Sequence, residues 1–147
     1  MATFRYKMQN ILDLKEKLET QAKTEFAEQS AKLKEEELKL SRIYDDIKVY
    51  EDRIRDMGEK KLDIFELKQC NNAIKIKKQQ ARIQKRNIAL AQKNLDIARG
   101  KLNQVMVDRK TQEILKERAF EEFKREVEAA ESKEVDEVVS FKYNKYE

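Results

Sequence analysis

Residues 40–63 read LSRIYDDIKVYEDRIRDMGEKKLD. Leu40, Ile43, Ile47, Tyr50, Ile54 and Met57 step by 3, 4, 3, 4 and 3, and the pattern then stops at Gly58-Glu59-Lys60-Lys61. Apolar residues at that spacing form a seam of a and d positions, and such a seam needs a facing helix. Gly58 suits a left-handed C-terminal cap, and Lys60 and Lys61 suit an exposed loop. A second helical pattern starts near Leu62. Two amphipathic helices joined by a short loop become antiparallel neighbours. The stretch therefore predicts an all-α fold: a long antiparallel two-helix coiled-coil hairpin with its turn near residues 58–61.

Upstream, Leu33 and Phe26 stay in phase with this seam. Ile11, Leu14 and Leu18 form a second run displaced by about one position, which reads as a stutter. Helix 1 is expected over about residues 4–57, roughly 80 Å at 1.5 Å per residue. Helix 2 is expected over about residues 62–137 and is the longer. Gly100 lies inside its pattern and costs about 1 kcal/mol relative to Ala without ending it. After Val135 the pattern weakens, and FKYNKYE (141–147) is expected to fray. No composition shift marks a second domain, so residues 1–147 are read as one. Folding at the loop places residue i near about 119 − i. Ile54 is then expected to face Phe65, Ile43 to face Ile76, and Phe4 to approach Leu115.

The composition agrees with long helices. Charged residues are 42% of the 147, the hydrophobic fraction is 39%, Pro is absent, and Gly58 and Gly100 are the two glycines. Few tight turns are available to such a chain. High charge and few aromatics also suit disorder, but regular apolar spacing opposes it. No apolar run is long enough to cross a membrane. The start, MATFRYKMQN, lacks the apolar core of a secretory signal. A single Cys70 forms no internal disulfide, fits a reducing cytosol and reads as a small structural residue.

Several chemistries are excluded. The chain has no His, so Ser-His-Asp, Cys-His and His-metal sites cannot form. Two isolated glycines build no phosphate-cradling loop. Carboxylate pairs such as Glu121 and Glu122 read as solvated helix faces. No enzyme, cofactor or metal is expected, and function must lie in surfaces.

One segment of helix 2 poses a specific question. Residues 74–92 read IKIKKQQARIQKRNIALAQ, with six Lys or Arg and no acidic residue. Two apolar stripes recur every seven residues. One is Ile76, Ile83, Leu90 and Ile97. The other is Ile74, Ala81, Ile88, Leu95 and Leu102, with Ala91, Ala98 and Val105 beside it. At about 100° per residue the two stripes point about 200° apart. One neighbouring helix cannot cover both, so one stripe is left for a foreign partner, for a second copy of the chain, or as scattered exposure.

Charge is segregated too. Residues 67–110 hold twelve Lys or Arg and two Asp, residues 25–52 hold nine acidic and five basic, and residues 113–137 hold ten acidic and five basic. Pairing between helices accounts for part of this and fixes register more than stability. Nucleic acid is not an expected partner: no Phe, Tyr or Trp lies between Phe65 and Phe120 to stack bases, and no groove-reading motif appears.

Both ends carry a recognisable pattern. FRYKMQNILDLKEKLE (4–19) places Phe4, Tyr6 and Met8 alternately before Ile11-Leu12-Asp13-Leu14-Lys15. ARGKLNQVMVDRKTQEILKER (98–118) is followed by FEEFKREVEAAESKEVDE (120–137). Together they resemble the opening and closing elements of the flagellar export protein FliJ family. The resemblance implies a non-catalytic component of the flagellar type III export apparatus, similar to the two-helix stalk of rotary ATPases. The implied partners are the hexameric export ATPase, the cytoplasmic domain of the export gate protein, and export chaperones. The implied location is the cytoplasm, held peripherally at the inner membrane through the apparatus. By likeness to rotary stalks, the end with both termini enters the ATPase ring, which points to Phe4, Tyr6, Met8, Ile11, Arg109, Lys110, Leu115 and Arg118. The turn end then faces the gate or a chaperone, with Tyr44, Tyr50, Phe65 and Ile76 as candidates, and Ile83, Leu90 and Ile97 beside them. Two alternatives stay open: a structural homo-oligomeric coiled coil, and a stalk subunit of another secretion or rotary ATPase.

Overall fold

The computed structural model describes residues 2–145. Two helices make up the fold, α1 (Gln9–Glu59, 51 residues) and α2 (Ile64–Lys145, 82 residues). They pack against each other as a hairpin, with no strand among the described residues. The expected all-α coiled-coil hairpin with a longer second helix is the observed architecture.

The turn lies at residues 60–63, two positions later than the pattern suggested. Gly58 is still helical, and neither glycine has a positive φ. The expected left-handed cap at Gly58 is therefore not used. What sets the turn is the start of α2. Asp63 Oδ1 accepts the backbone N–H groups of Phe65 (3.0 Å) and Glu66 (3.4 Å). With Glu66 three positions on, Asp63 is the N-cap of a capping-box sequence and satisfies donors the helix leaves open.

Both outer boundaries also differ from expectation. Helix α1 begins at Gln9 rather than near Phe4. In Phe4-Arg5-Tyr6-Lys7 the aromatic residues are half-buried and the basic ones exposed. That two-residue alternation belongs to extended backbone, which places Phe4 and Tyr6 on one side. Helix α2 runs on to Lys145, well past residue 137 and through most of the segment expected to fray. No Gly or Pro follows Gly100, and Glu, Ala and Lys are strong helix formers. The last two residues of that segment, Tyr146 and Glu147, lie outside the described residues.

The chain divides into two compact units. In the first, Ala22–Leu102, half-buried and buried positions of α1 step by 3 and 4 from Ala22 to Met57. Lys77 Nζ meets Asp46 Oδ2 at 3.0 Å, Gln84 Nε2 donates to the Glu36 carbonyl at 2.8 Å, and the Arg99 guanidinium lies 5.7 Å from the Phe26 ring centre. Residue i thus opposes about 123 − i, four positions from the expected register, because moving a turn by two residues moves its partners by four. The expected pairs are accordingly replaced: Phe65 is 70% exposed and Ile76 60% exposed, so neither covers Ile54 or Ile43.

The second unit comprises Met1–Gln21 and Asn103–Glu147. Here Leu12 is buried at 3% exposure while Leu14 is 52% exposed. Leu12, Lys15 and Glu19 hold the inward positions at spacings of 3 and 4. The expected stutter at Ile11 and Leu14 does not occur. Polar residues occupy the seam instead because they are paired: Lys15 Nζ with Asp108 Oδ2 at 3.7 Å, and buried Glu19 with Arg109 Nε. Phe4 stacks on Phe120 and Phe123, with centroids 5.1 and 5.4 Å away, rather than approaching Leu115.

Candidate partner-docking surfaces

In the unit Ala22–Leu102 the two stripes of α2 have separate fates. Ala81, Leu95 and Ala98 are buried and Ile74, Ile88, Ala91 and Leu102 are half-buried. That stripe is the hairpin core, and Cys70 (3% exposed) lies in the same seam. Ile76, Ile83, Leu90 and Ile97 are 49–60% exposed. Large aliphatic side chains left half-open in a row cost hydrophobic stabilisation that a covering surface would recover.

The rim of this outward row is chemically uniform. On a helix the neighbours of each residue are three and four positions away. For the four row residues these are Asn72, Ala73, Gln79, Gln80, Arg86, Asn87, Lys93, Asn94, Gly100 and Lys101. None is acidic. Of the other basic residues, Lys77 is committed to Asp46, Arg99 lies near Asp96 and Phe26, and Lys85 lies over the Tyr44 ring at 5.9 Å. Arg86 and Lys93 form no ion pair among the described residues. The row therefore offers an apolar strip edged by free cations and amides.

The other candidates of this unit do not join it. Tyr44 is exposed and covered by Lys85, which sits two residues, or about 200° of helix, from Ile83. Tyr50 is half-buried in the seam, with the Arg53 guanidinium 5.6 Å from its ring centre. Phe65 stands exposed beside Leu62 and Ile64 at the turn, an apolar cluster in which Leu62 and Ile64 were not anticipated. Gln84 is a polar seam residue the apolar pattern could not flag. Its amide nitrogen donates to both the backbone carbonyl and Oε2 of Glu36. That bond first, and the neighbouring Lys39 second, hold the Glu36 carboxyl below the ordinary range.

In the unit that carries both termini, Phe4, Tyr6 and Met8 line a groove of about 620 Å³ with Phe123, Glu122 and Glu126. Tyr6 Oη donates to Gln112 Oε1 at 3.0 Å, which pins the segment before α1. Met8, Ile11, Lys110, Leu115 and Arg118 are exposed. Arg109 is half-buried and its charge is already paired. Its guanidinium bonds Glu113 Oε1 at 2.7 Å and pairs with Glu19, and these partners, Glu113 foremost, raise its pKa further. Arg109, like Phe4 and Tyr6, is half-buried and engaged within the hairpin, while the other five of the eight are exposed. Val107 and Ile114, seven residues apart, are also exposed in this unit.

No group of three or more His, Cys, Asp or Glu suited to a metal occurs among the described residues, and no helix among them is long and apolar enough to cross a membrane. No curated protein and no solved structure matches the chain. A family model described as Flagellar FliJ protein matches residues 4–147. With essentially its whole length matched, the chain belongs to the flagellar FliJ protein family, whose members are non-catalytic components of the flagellar protein export apparatus.

Proposed function

We propose that the protein is a stalk-like activator of the export ATPase ring that also links the ring to the cytoplasmic domain of the export gate and to export chaperones. It does so without catalytic residues, at the cytoplasmic face of the inner membrane. The observation that carries this reading is the row Ile76, Ile83, Leu90 and Ile97. The hairpin completes its seam without it and leaves it exposed with a basic rim. A chain that spends four large aliphatic residues on an outward row has a surface to dock. The unit with both termini is assigned to the ring through Phe4, Tyr6, Met8, Ile11, Lys110, Leu115 and Arg118. The outward row and the turn, with Tyr44, Tyr50 and Phe65, are assigned to the gate or a chaperone. Surplus positive charge speeds encounter with acidic partner surfaces.

The test is ATP hydrolysis by the purified cognate export ATPase across a titration of this protein. Stimulation saturating near one chain per hexamer supports the stalk. An assembled, active ATPase that shows no stimulation at any ratio overturns the activator role. Phe4→Ala with Ile11→Ala should weaken the stimulation while leaving helicity unchanged. Undiminished stimulation by the folded variant would contradict the assignment of the termini to the ring.

A further inference from the structure

The C-terminal turns of α2 present a second uncovered surface. Residues 128–145 are helical and every one of them is exposed. An isolated helix of about that length is marginal in water, and Val135, Val138 and Val139 are poor helix formers. The apolar residues are not scattered. Val138 and Phe141 share one face with Glu131 and Glu134, at steps of 3, 4 and 3. Val135 and Val139 widen that face, and Phe141 is 70% exposed. Residues 128–145 hold five carboxylates, all within 128–137, and three lysines, Lys133, Lys142 and Lys145. The segment is an acidic pair of turns followed by a short apolar patch from Val135 to Phe141.

The outward row of residues 76–97 has the complementary chemistry. It is an apolar helix face whose neighbours include Arg86, Lys93 and Lys101 and no acidic residue. The row spans about 32 Å and the exposed tail about 26 Å at 1.5 Å per residue, so the tail fits within the row. We propose that the outward row of one molecule takes the C-terminal segment 128–145 of a second copy of this chain. Lying antiparallel, Phe141 and Val138 cover Ile83, and Glu134 and Glu131 reach Arg86 and Lys93. The outward row and residues 128–145 are exposed, so the docking requires no unfolding. While docked, the second copy occupies the row that a gate or chaperone would use.

The experiment measures the mass of the full-length protein by light scattering and sedimentation across concentration, with no partner present. A failure here therefore leaves the ATPase reading untouched. At low ionic strength the average mass should rise above 17.6 kDa with concentration and fall back toward that value at high salt. Glu131→Lys with Glu134→Lys should abolish the rise, and so should Arg86→Glu with Lys93→Glu. All four positions are exposed, so circular dichroism should show wild-type helicity in both variants. Mixing the two reversed variants should restore association, since the basic tail of one then meets the acidic row of the other. A wild-type protein that keeps the mass of one chain at every concentration and low salt overturns the proposal. So does association that neither reversal alters, or a mixture that stays monomeric.

Discussion

Gly58 and Gly100 show how one residue type takes its meaning from its surroundings. Both are helical, and a Cβ at either would meet no atom within 4 Å. A glycine in a helix costs backbone entropy that Ala does not. Gly58→Ala and Gly100→Ala should each stabilise the protein by about 0.5–1 kcal/mol in chemical denaturation. Destabilisation by Gly58→Ala would instead indicate a left-handed cap there. Glu36 carries a pH dependence. Its folded pKa lies below the ordinary 4.5, so between the two values the unfolded state binds more protons. Its contribution is complete above 4.5 and is lost as the pH falls through the lowered folded value. Gln84→Leu removes the main cause of the shift. The melting-temperature difference between wild type and this variant should move in favour of wild type as pH rises from about 3 to about 6. A difference independent of pH would deny that the Gln84 bond lowers the Glu36 pKa.

For α2 as an element, the informative contrast is between its two stripes. Leu95 is buried at 6% exposure, and truncating a buried Leu removes transfer free energy and leaves a cavity. Leu95→Ala should cost about 2–3 kcal/mol in denaturant unfolding, near the low end for such changes because a two-helix core is thin. Ile83→Glu with Leu90→Glu should change stability by no more than about 0.5 kcal/mol per site and leave helicity intact. If the double variant lost helicity, the outward row would belong to the hairpin core. Polar pairs inside the seam add specificity to these apolar contacts. Glu19 with Arg109, and Glu36 with Gln84, each find partners in one register only, which is how a polar seam residue selects alignment in a coiled coil.

For the molecule as a whole, residues 1–147 are proposed to fold as one domain although the structure groups them into two compact units. Heating should then produce one transition, with far-ultraviolet ellipticity and the near-ultraviolet signal of the tyrosines melting together. Tyr6 reports on one unit, and Tyr44 and Tyr50 report on the other. Two separated transitions would establish that each unit unfolds by itself. The functional counterpart is a division of labour, with the aromatic groove of Phe4, Tyr6 and Phe123 in one unit and the outward row of α2 in the other.

The amino-acid sequence alone determined that this chain is two helices, where the seam of α1 runs from Phe26 to Met57, that α2 is longer, and that α2 carries two incompatible apolar stripes. Those follow from spacing, which local helix geometry converts directly into faces. It also carried the family, through the patterns at its two ends. Tertiary structure decided what spacing leaves degenerate. Both stripes of α2 are apolar with the same repeat, and the choice between Ile74–Leu102 and Ile76–Ile97 depends on which face meets α1. The turn position followed from the Asp63 cap rather than from Gly58, and it moved the register by four residues. The inward turn of Lys15 and Glu19 depended on Asp108 and Arg109, about ninety residues away in the chain. A polar residue reads as solvent-facing until its partner is known, and only the folded hairpin brings that partner into reach.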